Sequence, residues 1–164
     1  MTKKTKTFVV WLLVVIVALG LLGSSGIISL FLPKPELTTR ELAFTCTTDM
    51  ATQFHIHPLL SIIADGKNIE IPANVGVTSA CLHPLHTHDA TGRIHVESPE
   101  KRDFSLADFF AVWGKAFSKD QILDMKADSE HMIKVAVDGA EVSTFENTIL
   151  RDKQQVVVSY EAIK

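Results

Sequence analysis

Residues 54–71, FHIHPLLSIIADGKNIEI, decide the fold. The first part, 54–65, alternates in part between apolar and polar positions and is rich in β-branched side chains, so it reads as one strand. Asp65-Gly66 followed by Lys67-Asn68 is a turn signal, and 69–71 (IEI) is the returning strand. Pro72 and Gly76 close this hairpin. Beyond it, 77–92 shows no clean period and reads as a loop, with Pro84, three histidines and a Thr91-Gly92 turn. Residues 93–97 (RIHVE) alternate again: Ile94 and Val96 face one way, and Arg93, His95 and Glu97 face the other.

The strongest helix signal is 105–117, SLADFFAVWGKAF. Ser105 suits an N-cap, and Asp108 places a carboxylate near the positive helix end. Leu106, Phe109, Phe110, Trp113 and Phe117 recur at spacings of three and four, which predicts a buried face. Residues 118–127 are expected to add a short turn of helix. Residues 132–138 (MIKVAVD) and 154–160 (QQVVVSY) read as strands, with a turn at Asp138-Gly139. Strands, then a helix, then strands imply an α+β fold with a mainly antiparallel sheet. A β-grasp-like arrangement, one helix packed across the sheet, fits this order; a cupredoxin-like β-sandwich is the alternative.

Upstream, residues 8–32 (FVVWLLVVIVALGLLGSSGIISLFL) contain no charge. A membrane span needs about 20 apolar residues, and backbone in hydrocarbon must bond to itself, so a transmembrane helix is expected here. Lys3, Lys4 and Lys6 precede it, which puts residues 1–7 in the cytoplasm. Pro33 and Pro35 stop the helix. Residues 33–45 are expected as a stalk and 46–164 as an extracytoplasmic domain. A cleaved signal peptide is the competing reading, with 23–26 (GSSG) as its cleavage region; the apolar run resumes after it, which favours a retained anchor. The small residues of 20–26 would also allow close packing against another membrane helix. Partners are therefore membrane lipid and a larger membrane complex. With a net charge of −3 across 164 residues, there is no basic surface for nucleic acid.

Six of the seven histidines lie between residues 55 and 95. His55 and His57 flank Ile56, and His86 and His88 flank Thr87. In extended chain such pairs point to one face. Together with His95 they can converge on one cation, since neutral imidazole is the commonest metal ligand. An all-nitrogen set suits copper or zinc rather than calcium or magnesium. The metal ligands expected are His57, His86, His88, His95 and His55. Asp89 and Glu97 are candidates for carboxylates that orient a ligating ring. His83, before Pro84, is expected to be structural, and the isolated His131 a strand-edge residue. The bland alternative is a polar, pH-sensitive histidine face without metal.

Cys46 and Cys81 make an even count in an exported domain, which predicts a disulfide; the alternative is Cys81 as a thiolate ligand beside the histidines.

The segments FHIHPLLSIIADGKNIEIPANVG, CLHPLHTHDATGRIHVESP and FSLADFFAVWG, between Phe54 and Gly114, resemble a family of prokaryotic membrane-anchored extracytoplasmic domains with no established activity. The resemblance implies that His57, His86, His88 and His95 form one functional unit with His55 close by. Pro58 departs from the family pattern, where a further histidine or small residue often stands, which implies one fewer ligand.

Three functions follow. The first is a membrane-anchored metal-binding protein for copper or zinc, in metal handling or as an accessory subunit. The second is a metalloenzyme with a metal-bound water, although no HExxH or Gly-x-Ser-x-Gly motif occurs. The third is an interaction module without metal. A non-enzymatic role is favoured.

Overall fold

A computed structural model describes residues 36–46 and 53–163. The expected cytoplasmic N-terminus 1–7 and span 8–32 lie outside the described residues. Among those described, no helix is long and apolar enough to cross a membrane.

Helix α1, Thr39–Ala43, lies within the stretch expected as a stalk, and buries Leu42 and Ala43. A capping box explains why this short segment turns. The Thr38 hydroxyl accepts from the Glu41 N–H, and the Glu41 carboxylate accepts from the Thr38 N–H, so two otherwise orphaned donors are satisfied.

The expected single strand over 54–65 is two strands, β1 (Phe54–Ile56) and β2 (Leu59–Ala64), which belong to different sheets. Pro58 has no N–H to give a ladder, and the chain steps from one sheet to the other at His57-Pro58. Strand β3, Lys67–Ile69, returns along β2. Asp65 and Gly66 both take positive φ, 46° and 76°, as a two-residue hairpin turn of type I′ requires. Two short strands follow, β4 (Leu85–His86) and β5 (His95–Ser98).

Helix α2, Leu106–Trp113, begins as expected at Ser105, whose N–H and hydroxyl both donate to the Asp108 carboxylate. It stops at Gly114, φ 70°, the left-handed residue that closes many helices. Phe117, expected on the helical face, therefore sits in a strand, with its ring stacked on Phe110 at 4.6 Å. Residues 118–127 carry no helix. They form a meander of β6 (Phe117–Ser118), β7 (Gln121–Ile122) and β8 (Met125–Lys126). Leu123 at φ 53° makes one of its turns, a conformation no helix accepts.

Strands β9 (His131–Val137), β10 (Ala140–Val142) and β11 (Gln155–Ala162) complete the larger sheet, ordered β10-β9-β11-β2-β3. Its pairs are antiparallel except one, where β11, the central strand, runs parallel to β2. Leu60 faces Val156 across that pair, Ile62 faces Val158, and Val158 faces Val135. All five are buried, in one core with Phe104, Leu106, Phe109 and Phe110. The class is thus mixed α+β, mostly strands with two helices and no closed barrel among the described residues.

Cys46 and Cys81 form a disulfide. Their sulfurs are bonded to each other, so Cys81 is not a thiolate ligand.

Candidate metal centre

The smaller sheet, β1-β5-β4, carries the histidines. Its register sorts the side chains into rows. Val96 lies opposite Ile56 on one side and Leu85 on the other, and all three are buried in the core. The alternate positions face away from it: His95 opposite His86, and Glu97 opposite His55. Because side chains alternate along a strand, one apolar row in the core forces this polar row onto a shared face.

The two loops that complete the face are held by the fold. Thr87 is fully buried. Its hydroxyl donates to the Pro72 carbonyl at 2.8 Å and accepts from the Val75 N–H at 3.0 Å, which aims its neighbours His86 and His88 together. The His57 N–H donates to the Asp152 carboxylate at 3.1 Å, fixing the step after β1. Gly92, φ 81°, lets the return loop lie on β2, where a Cβ would stand 2.1 Å from the Leu60 carbonyl oxygen.

His95 is the hub. Its ring centroid lies 4.5 Å from that of His88, 4.6 Å from His57, 5.3 Å from His86 and 6.4 Å from His55. His86, His88, His95 and Glu97 each offer one donor atom within 4.8 Å of the others, and so do His55, His57 and His95. The described residues therefore form histidine-rich groups that could hold a metal ion. Exposure grades across the face: His86 is 0 % exposed and Glu97 is buried, the His55 side chain is 46 % exposed, and His88 is open to solvent.

The electrostatics favour neutral ligands. The His83 carbonyl accepts from His86 Nδ1–H at 2.9 Å, so Nε2 keeps its lone pair, the arrangement typical of a ligating imidazole. Burial lowers the His86 pKa to about 4, against the opposing pull of that carbonyl. Burial, then His57 and His88, lowers His95; burial, then His55, lowers His57. His86 Nε2 lies 3.2 Å from His88 Nε2. Two lone pairs at that distance repel, so either His88 holds a proton between them or a cation does.

Glu97 is the buried anion of the face. Its Oε1 lies 3.1 Å from His55 Nε2 and 3.4 Å from His95 Nδ1. His95 Nδ1 is buried yet makes no hydrogen bond of good geometry. A carboxylate out of water is costly unless paired, and the groups beside it are the His55 and His95 rings.

The other candidates fall elsewhere. Asp89 is exposed, and its Oδ1 accepts from the N–H and hydroxyl of Thr91, so it shapes the loop beside the face. His83 donates from Nδ1 to the Thr45 carbonyl at 3.0 Å and serves the site through its own carbonyl. His131 starts β9 and stacks on Tyr160 at 4.8 Å. Thr87, Asp152 and the His83 carbonyl act on the site without any signal in the motif, except that Thr87 sits between two histidines.

Comparison with family models, curated proteins and solved structures found no match to this chain.

Proposed function

We propose that this chain is a membrane-anchored, extracytoplasmic metal-binding protein that holds copper or zinc on the histidine face. The observation that carries this reading is the meeting of imidazoles from three chain segments around a buried carboxylate. His86, His88 and His95 with Glu97 form the more buried set; His55 and His57 adjoin it. A neutral imidazole with its tautomer fixed, as at His86, is a ready ligand. The nitrogen-rich donor set favours copper or zinc over harder ions.

The anchor and location rest on the uncharged run 8–32 behind Lys3, Lys4 and Lys6, and on the disulfide, which suits an oxidising compartment. We take residues 1–7 as cytoplasmic, 8–32 as the span and the rest as outside. The role is metal handling, alone or as an accessory subunit of a membrane complex. The sheet order, with the β9-β10 and β2-β3 hairpins on either side of the central strand β11, supports the β-grasp-like reading.

The test is the full chain, purified in detergent without a histidine tag and stripped of metal. Zinc or copper(II) should bind, and H86A/H88A should abolish tight binding. Unchanged binding in that variant removes the site. Added protease should reach the domain in intact cells; resistance until the membrane is breached reverses the orientation.

Metalloenzyme chemistry is a second reading, favoured by the exposure of His55 and His88, which leaves room for water on a bound ion.

A further inference from the structure

The histidine face has more donors than one cation takes. Five imidazoles and a carboxylate make six, whereas zinc in a protein is usually held by about four ligands and copper(II) by a tetragonal set. The donors also divide. His86, His88, His95 and Glu97 lie within 4.8 Å of one another, as do His55, His57 and His95. The two sets meet at His95 and at Glu97, whose Oε1 is 3.1 Å from His55 Nε2.

We propose that this face holds two cations side by side, one on His86, His88 and His95, the other on His55 and His57, with the Glu97 carboxylate bridging them. The inference rests on the metal-binding reading above. Glu97 is the better bridge on chemical grounds. A carboxylate has two oxygens and no proton to lose, while His95 could serve two cations only by giving up its remaining ring proton. A carboxylate also spans about 3.5–4 Å between metals, the usual spacing in two-metal sites. The buried Glu97 charge then acquires its counter-charge on both sides.

The two positions are unequal. The first cation has three imidazoles and a carboxylate oxygen, enough for a four-ligand set, around the fully buried His86. The second has two imidazoles and the other oxygen, with His55 half exposed. It keeps an open position on the solvent side, where a water or a small anionic oxygen ligand would complete it. The order of filling follows: the buried position first, the open one second and more weakly.

The full chain in detergent, stripped of metal, is titrated with zinc and counted by native mass spectrometry. Two ions are expected, the second weaker. H55A/H57A should hold one; these rings are partly exposed, so the fold should survive their loss. H86A/H88A should lose the tighter ion. A wild-type count of one, unchanged in H55A/H57A, overturns the two-cation centre and leaves the single site standing. A count of zero overturns both. Copper(II) tests the bridge separately. One equivalent should give an ordinary mononuclear resonance, and a second should couple to it, so that the signal fails to double. E97Q should restore two independent signals or stop loading at one. Doubling of the signal in the wild type overturns the bridge.

Discussion

The Nδ1–H of His86 meets the carbonyl oxygen of His83 at 2.9 Å, inside the same short loop that the disulfide pins through Cys81. The ring is thereby turned so that Nε2 points at His88. H86A should weaken zinc binding at least about 100-fold, the upper range for loss of an orienting partner and a minimum for loss of the ligand itself. Competition with a chromogenic chelator measures it. An affinity within threefold of wild type would mean that His86 is only a core residue.

Burial keeps His86 neutral down to about pH 4, while the unfolded chain protonates it near 6.5. Between those values the unfolded state binds more protons, so stability rises with pH and is lost as the medium is acidified. The metal-free chain should lose about 2–3 kcal/mol between pH 7 and 4.5. His57 and His95 are shifted in the same direction and add to the loss. Urea midpoints at the two pH values test this; a flat profile, or an unaltered slope in H86Q, contradicts it.

The disulfide joins residues 35 apart in sequence. Closing a loop of that length is worth about 3–4 kcal/mol in the chain-entropy account. C46S/C81S should lower the thermal midpoint by several degrees. It should also weaken zinc binding, because α1 and the His83 loop are no longer tied. A thermal loss without any change in zinc affinity would separate the bridge from the site.

Gly92 stands at φ 81° with no room for a Cβ against the Leu60 carbonyl. G92A should cost about 1–3 kcal/mol, or more if the loop cannot yield. Since the loop delivers His95, zinc affinity should fall with stability. By contrast, G139A has an open Cβ direction and meets only the backbone strain of its φ of 85°. It should leave zinc binding unchanged.

Alternation in RIHVE and the two His-x-His pairs made the clustered histidine face legible, because a period of two is a local property of extended chain. The α+β class was legible for the same reason. Two breaks were present in the letters and were outweighed by apolar content: Pro58 inside the first strand, and Gly114 inside the helix. What was not legible depends on distant partners. Nothing in FHIH announces that His57 is held by Asp152. Glu97 reads as a candidate partner for a ring, but its burial follows only from the place of β5 between two neighbours. Nor does the sequence announce that the Asp89 carboxylate is tied to Thr91, two residues on.

The parallel pairing of β2 with β11 carries a kinetic consequence. Its partners are about the most distant in the domain, and loop-closure entropy delays contacts of high sequence separation. The strand pairings of the small sheet of β1, β5 and β4 all lie within residues 54–98, and they close before β11 has been made once α2 covers their apolar row. The tether from Asp152 to His57 spans 95 positions and arrives with the last strand. A nascent chain therefore presents His86, His88 and His95 before His57 is locked, and the C-terminal strand acts as the latch that finishes the cluster.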